Sequence, residues 1–575
     1  MRLSNYFLPT LKETPADAEM ESHKLMLKAG LIRKVTAGVY NYLPLGFKVL
    51  KKIEEVVREE MNKAGAQEIK LPIIQPATLW KESGRWDDFG PEMFKLSDRK
   101  EREFALGPTH EEIITDMVRN ELNSYKDLPL VLFQINDKYR DEIRPRHGVM
   151  RSREFLMKDA YSFHADQESL DETYEDMYDA YARVFDRLGL DWVAVEAPTG
   201  LMGGSYSQEF MALADEGGEE IVLCGNCNYS SNVEIARYQV QPKDNGEDPD
   251  TLEKVETPGM ETVDEVANHL EIPSQQVVKT FFYRTDDGLV AALVGGDDDI
   301  EEMKLINHLG TKKAEMVSSE REIKEITGAN FGSIGPIGLD KDIPVYADLD
   351  IKPLVNFTVG ANENGYHLTN ANWDRDIGDV NFINLRKVKE GDNCPKCGSG
   401  LEFQRSIEVG QIFQLGTKYS ESLEGEFQDQ DGNLYPYVMG CYGIGISRLI
   451  PAVIQQNYDD QGINWTDAVT PFSAELIVLG SEDEDSFQLG EDLYEELKVR
   501  GHDVLLDDRE TSPGFKFNDA DLVGIPIKII IGPRGLAEGV LELESRSGDK
   551  EEISVENRDV EQVAKEIEEK IQSFK

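Results

Sequence analysis

Positive charge is scarce in this chain: 61 Lys and Arg stand against 110 Asp and Glu in 575 residues, a formal net charge of −49. A binder of polyanions ordinarily carries a basic surface, so this balance alone points away from nucleic acid. Cysteine is scarce too, and its count of five is odd; that argues against a disulfide scaffold and for a reducing, cytoplasmic setting. No apolar run reaches membrane length before a charge interrupts it, and the start, Met1-Arg2-Leu3-Ser4-Asn5-Tyr6, lacks an apolar signal core. Neither secretion nor a membrane partner is expected. No internal repeat or low-complexity tract is present. With 40% apolar and 30% charged residues the chain reads as globular, and it is too long for a single core.

Periodicity predicts an amphipathic helix over 44–64, with Val49, Leu50, Ile53, Val56, Val57 and Met61 inward and Gly65 closing it. Ile69, Leu71 and Ile73 alternate as a strand that Pro72 confines to an edge or interface. Two strands joined by a basic loop are expected over 130–163, then a helix over 164–188. Residues 241–265 read as an acidic linker, and 277–382 as a compact α/β module. Strand-like sequence returns at 406–415. The last unit, 472–575, runs strand 475–479, helix 484–499, strands 503–507 and 527–531, a strand pair and a helix, which implies a small sheet with helices on its faces.

The positive charge is concentrated. Arg140, Arg144, Arg146, Arg151 and Arg153, with His147, lie close together. Pleat parity places Gln134, Asn136, Lys138, Arg140 and Glu142 on one face, and Arg151, Arg153, Phe155, Met157, Asp159 and Tyr161 on one face of the return strand. Such a hairpin aims guanidiniums, a carboxylate and a ring at one place; arginine forks suit phosphate oxygens and a ring suits a base. A surface hairpin with solvated charges is the plainer reading. Gly440-Cys441-Tyr442-Gly443-Ile444-Gly445-Ile446-Ser447-Arg448 follows later. Its glycines admit a flat ligand against a strand, or mark close packing only, and it lacks the Lys-Ser/Thr end of a phosphate loop. Two CxxC knuckles, Cys224/Cys227 and Cys394/Cys397, with 166 residues between them, read either as a zinc ribbon stapling the crossing points of an insertion or as a relict pair that folds without metal. Cys441 reads as a small packing residue.

Taken together, Arg140-Asp141-Glu142, Arg151-Ser152-Arg153-Glu154-Phe155 and Gly443-Ile444-Gly445-Ile446-Ser447-Arg448 resemble motifs 2 and 3 of class II aminoacyl-tRNA synthetases. Gly65 through Pro72 resembles motif 1, whose proline lies at a dimer interface. Locally, Thr109 in Gly107-Pro108-Thr109-His110-Glu111 serves equally as a helix N-cap or as a ligand, with Glu111, for a cationic amine. With Phe155 through Phe163 and Ile412 through Ser420, that segment is similar to bacterial-type prolyl-tRNA synthetases, over nearly the whole chain. Many members have His where this chain has Gln208 and Gln411; neither glutamine titrates, and either can donate a hydrogen bond.

The resemblance implies a multidomain α/β and α+β protein. Its antiparallel-sheet catalytic domain lies in two parts, 1–223 and 405–471, with an inserted α/β editing domain over 224–404 and a C-terminal α/β anticodon-binding domain over 472–575. It implies ATP-dependent ligation of L-proline to tRNA(Pro) through prolyl-adenylate, with Mg2+, in a homodimer. Arg140 would meet the α-phosphate and the proline carboxylate, Arg151 and Arg448 the outer phosphates, and Phe155 the adenine. Glu142 would fix the adenine or the loop, and Glu408 would ligate magnesium. Thr109, Glu111, Met157, Asp159 and Tyr161 would form the proline pocket; Gln414, Thr417, Gly443 and Gly445 would lie along the adenylate. Arg144 would reach the acceptor stem, and Arg509, Lys516 and Lys528 are candidate tRNA contacts. Lys279, Gly332, Pro336, Asp350 and His367 resemble an editing site for mischarged alanyl-tRNA, with water attacking a substrate held by Lys279 and the amides of the glycine loop. The plain readings are a surface lysine and a core histidine. The rivals are a related synthetase for another small amino acid and a silent tRNA-binding regulator, against which intact Arg140, Glu142, Arg151 and Arg448 argue. The acidity then suggests a salty cytoplasm, where a Debye length of about 3 Å near 1 M salt screens repulsion of tRNA.

Overall fold

A computed structural model describes residues 1–16, 18–240, 248–480 and 485–573; the first part of the expected linker, 241–247, and residue 484 of the expected helix lie outside them. The chain forms two compact units, one of Met1–Ala194, Thr199–Glu219 and Arg405–Lys575, the other of Val195–Pro198 and Glu220–Gln404.

The first unit is built on an antiparallel sheet. Tyr206–Leu213 pairs with the long strand Leu401–Gly416, which pairs in turn with Val438–Ile444, Glu154–His164 and Leu130–Tyr139. Alternation decides the two faces. Ala160, Tyr442 and Ile412, which lie across from one another, join the core beneath the helices Pro44–Lys63, Gln167–Arg187 and Ile446–Gln456. Tyr161, Cys441 and Phe413, each one residue along, pack on the opposite side with Ile113 and Ile114 of the helix Glu111–Arg119. The helix expected from 164 begins at Gln167, because the strand runs to His164 and the Asp166 carboxylate caps the Ser169 N–H at 2.9 Å.

Two expectations at the sheet margin fail. Residues 69–73 form no strand: the pieces are Gln67–Glu68 and Ile74–Pro76. The Leu71 N–H and C=O bond instead to the side chains of Gln134 and Asn136, at 3.1 and 2.9 Å, and Pro72 has no N–H for a ladder. The hairpin strands stop at Tyr139 and restart at Glu154, so parity does not extend to Arg140, Glu142, Arg151 or Arg153. Those four belong to a connection turned by His147 and Gly148, both with positive φ.

The C-terminal part of this unit has parallel strands Val504–Asp507, Ala474–Val478 and Ile527–Ile531, followed by antiparallel Val540–Ser545 and Lys550–Ser554. Helices Asp485–Val499, Pro513–Val523 and Val560–Ser573 accompany them. The second unit carries a five-stranded mixed sheet centred on Val278–Thr285 and Gly288–Gly295, and a three-stranded sheet of Glu253–Glu256, Tyr366–Ala371 and Phe357–Gly360. Among the described residues no helix is long and apolar enough to cross a membrane.

Candidate active site

The hairpin's regular part brings polar groups to one face, as its period of two requires. Asp159 is saturated there: Lys138 donates at 2.7 Å, Gln134 at 2.9 Å and the Tyr161 hydroxyl at 2.8 Å. Burial works against ionisation of Asp159, yet Lys138 and these donors hold its carboxyl below the usual range. The Tyr161 oxygen also accepts the His110 N–H at 3.1 Å. His110 itself is neutral near pH 7, because burial foremost and Lys138 next push its imidazole down to about 4. Its Nε2 donates to the Pro72 carbonyl at 3.1 Å. Asp159 and Tyr161 thus form a finished floor with no charge left over.

Above this floor stands a cluster in which the sequence reading named only Thr109 and Glu111. His110, not Thr109, is the N-cap of Glu111–Arg119, and it makes no side-chain cap bond, so the capping role for Thr109 is overturned. The Thr109 hydroxyl instead accepts from Arg85 Nη2 at 3.2 Å, and Arg85 Nη1 reaches Glu111 at 3.3 Å. The same Nη1 meets both oxygens of Glu112 at 3.0 and 3.1 Å, and Ser83 donates to Glu112 at 2.8 Å. Arg85 is 2% exposed and ringed by Trp80, Phe89 and Tyr419, whose centroids lie 4.9–5.6 Å from its guanidinium carbon. Nothing in the sequence singled out Arg85: in Ser83-Gly84-Arg85-Trp86-Asp87-Asp88 it reads as a solvated charge, and its partners lie 24–27 positions away.

The anion side is centred on Arg140. Its guanidinium makes one long bond, to the Pro108 carbonyl at 3.5 Å, and its buried Nε has no partner. It lies 5.4 Å from the Phe155 ring centroid. Burial lowers its pKa, with the Glu408 charge opposing. Glu142 binds the connection together, accepting Arg151 Nε at 2.6 Å and the Arg144 N–H at 2.9 Å. Burial raises the Glu142 pKa, but the Arg151 bond and the Arg144 amide outweigh it. Arg448 donates to the Met150 carbonyl at 3.0 Å and to the Glu408 carbonyl and carboxylate at 2.9 and 2.8 Å. Arg144 is exposed.

Cross-strand register sorts the remaining candidates. Gly443 stands opposite Asp159 and Gln411 and shares their face; a Cβ there would approach only the Met157 sulfur and the Gln411 carbonyl, both at 3.9 Å. Gly445 opens the helix Ile446–Gln456. Gln414 stands opposite Gly440 and Ser162 on the helix face, where its amide donates to Asp171 at 2.9 Å. Its expected place along the adenylate is therefore corrected; Gln411 holds that face. Thr417 sits at the end of the strand, donating to Glu421 at 2.8 Å.

The three basic candidates of the C-terminal segment are corrected as well. Lys516 is buried and donates to the Val478 and Asp507 carbonyls at 2.8 and 3.0 Å. Lys528 is buried between Asp521 and Glu544, at 2.7 and 2.6 Å. Arg509 is locked to Asp507 and Asp519 at 2.7 and 2.8 Å. All three serve as internal counter-ions.

In the second unit the sulfurs of Cys224, Cys227, Cys394 and Cys397 lie within 4.8 Å of one another. The pairs Cys224/Cys397 and Cys227/Cys394 are 3.5 and 3.6 Å apart. Ligand bonds of about 2.3 Å to a tetrahedral zinc require sulfurs roughly 3.8 Å apart, so the four fit that ion. Lys279 is partly exposed, its ammonium 3.4 Å from Asp299. Asp350 meets Arg386 at 2.7 Å, and burial foremost raises its pKa. His367 is a core residue bonded to the Thr257 hydroxyl at 2.7 Å. Gly332 and Pro336 lie in a loop whose Ser333 and Gly335 amides already bond to the Asn330 carbonyl and the Asn362 side chain, at 3.2 and 2.8 Å. Those two amides are not free to hold a substrate, which corrects that part of the expectation.

Residues 94–457 match the tRNA synthetase class II core domain (G, H, P, S and T), and 473–570 match the anticodon binding domain. The chain is 51% identical over 558 residues to the proline-tRNA ligase of Halothermothrix orenii, covering 97% of this chain and 98% of that protein. With the proline-tRNA ligase of Thermotoga maritima it is 50% identical, over 95% and 94% of the two chains. Among solved structures, prolyl-tRNA synthetase from Cryptosporidium parvum complexed with L-proline and AMP shares the fold at 14% identity and a TM-score of 0.56, covering 96% of this chain and 75% of that one. The form complexed with halofuginone and AMPPNP gives a TM-score of 0.57, again at 14% identity, over 96% and 77%.

Proposed function

Because this chain belongs to the proline-tRNA ligase family of class II tRNA synthetases, we propose that the cluster around Arg140, Thr109 and Glu111 is where it binds and activates L-proline. The enzyme is a proline-tRNA ligase: it joins proline to tRNA, driven by ATP. One observation carries the assignment of the site. Two opposite charges lack full partners, the Arg140 guanidinium with its orphaned Nε and the Glu111 carboxylate with one long contact. They flank one short segment, Pro108 to Glu111, and match the two ends of a zwitterion.

In the proposed mechanism a proline carboxylate oxygen, oriented by Arg140, attacks the α-phosphorus of ATP in line. The bond to the pyrophosphate oxygen breaks, giving prolyl-adenylate; a terminal ribose hydroxyl of tRNA then attacks the carbonyl, its proton passes to the phosphate of the adenylate, and AMP leaves. Positioning and charge neutralisation suffice, without an acid–base residue. Arg151 and Arg448 take the outer phosphates, exchanging Glu142 and Glu408 for them, and Phe155 stacks on adenine. Glu408 would be the protein ligand for magnesium, whose positive charge would help to neutralise the leaving pyrophosphate. Arg144 meets the acceptor stem. The catalytic domain comprises 1–223 and 405–471, with editing in 224–404, zinc at the four cysteines and anticodon binding in 472–575. The working form is a cytoplasmic homodimer.

Editing has a physical motive, since alanine fits any pocket made for proline and one or two methylenes discriminate only about 10–200-fold. Lys279 and Asp350 are the candidates with reach to solvent. Lys279→Ala is expected to let Ala-tRNA accumulate while proline activation persists; unchanged deacylation removes Lys279 from that site. For the main reaction, amino-acid-dependent ATP–pyrophosphate exchange is measured with all twenty amino acids. Proline-dependent exchange is expected. Exchange with glycine or threonine but not proline, or none at all, overturns the reading.

A further inference from the structure

The buried cluster beside the amine position sets one guanidinium against two carboxyl groups; burial raises the Glu112 pKa, and the Arg85 charge opposes it. Arg85, Glu111 and Glu112 are 2%, 2% and 0% exposed. Arg85 gives Glu112 both of its short contacts, at 3.0 and 3.1 Å, and Ser83 completes that carboxylate. Glu111 receives only the 3.3 Å contact from the same nitrogen. Among the buried charges nearby, Asp159 is matched by Lys138 at 2.7 Å. Lys418 keeps its charge and is felt by Glu112 and Glu111, but it is solvent-exposed, its ammonium donating to the carbonyls of Leu201 and Met202 at 3.3 and 3.0 Å.

We infer that Arg85 and Glu112 act as positioning residues that set the charge of the amine pocket to minus one, making it selective for a substrate whose ring nitrogen is cationic. This rests on the reading that proline binds with its amine at Glu111. Glu112 absorbs the guanidinium, so that Arg85 orients Glu111 without neutralising it. Arg85 Nη2 occupies the acceptor side of the Thr109 hydroxyl at 3.2 Å, which turns the hydroxyl proton outward. The secondary ammonium supplies the missing positive charge, and a neutral ring of the same shape leaves Glu111 unpaired in a dry pocket. Removing the charge of Glu112 frees Arg85 to close on Glu111, and the site becomes neutral before proline arrives.

The experiment compares proline with tetrahydrofuran-2-carboxylate, which replaces the ring NH2+ with oxygen, on the intact enzyme. Proline KM, ATP KM and the analogue's inhibition constant are read in ATP–pyrophosphate exchange. Glu112→Gln keeps the Ser83 hydrogen bond and the shape. It is expected to raise proline KM by about 10–100-fold, the usual consequence of disturbing an outer partner of a ligand group. ATP KM stays level and analogue binding holds or tightens, because Arg85 then pairs with Glu111, so the preference for proline collapses. Arg85→Lys keeps the charge sum but loses the fork; it is expected to weaken both ligands in parallel and preserve the preference. Parallel loss in Glu112→Gln, no change in it, or loss of preference in Arg85→Lys overturns the inference. Absence of proline-dependent exchange in the unaltered enzyme would instead strike the underlying reading.

Discussion

Lysine 528 shows how far a charged side chain can be from the role its charge suggests. In an acidic chain a lysine near the carboxyl end invites assignment to tRNA, but its ammonium sits between Asp521 and Glu544 with 5% of the side chain exposed. Lys528→Met is therefore expected to destabilise the fold by about 1–3 kcal/mol, since it leaves Asp521 without this cation and Glu544 with Lys550 alone. The KM for tRNA measured below the melting transition should not move; a raised KM with unchanged stability would return Lys528 to the RNA surface. The residues that sequence placed correctly are those governed by alternation. Gln134, Lys138, Asp159 and Tyr161 do meet on one face, because a regular strand leaves them no other choice. Arg85 was illegible because its role depends on carboxylates supplied by a different helix. Gln414 lies away from the adenylate face because its cross-strand partner Gly440 puts it on the helix side.

Helices and strands were more legible than their ends. The stripe over 44–64 gave Pro44–Lys63 almost to the residue, whereas 69–73 looked like a strand and is held by Gln134 and Asn136 instead. Where Pro44–Lys63 crosses Gln167–Arg187, Glu60 is 1% exposed and accepts Arg183 at 2.9 Å and Arg187 at 2.6 Å. Burial raises its pKa, but Lys63, Arg183 and Arg187 outweigh that and pull it from about 4.5 to about 2. A folded-state value below the unfolded one means stabilisation that is complete above 4.5 and vanishes as pH falls toward 2. Glu60→Gln is expected to cost about 1–3 kcal/mol at pH 7 in urea titrations. The gap to the unaltered protein should close across that acid window; a gap independent of pH would exclude the ion pairs as its source. At the cysteine knuckles, metal analysis should find one zinc per chain, and well below one equivalent would leave the four thiols as a relict.

For the whole molecule, the charge of −49 misleads only as an average. Lys516, Lys528 and Arg509 are bound internally, while the basic connection between the hairpin strands leaves Arg144 and Arg146 exposed. With tRNA held at that connection as proposed, attraction is local and repulsion diffuse, and salt removes the diffuse part first. Aminoacylation is expected to persist as KCl is raised toward molar; its loss there would show that long-range attraction, not close contact, governs binding.

The four thiols have a topological consequence. Sulfurs at positions 224 and 397 lie 3.5 Å apart, so the chain leaves and returns through a single seam. A shorter or longer chain between those sulfurs is therefore expected to keep the register of Leu401–Gly416 against Val438–Ile444, and with it the alternation that puts Gly443 opposite Asp159.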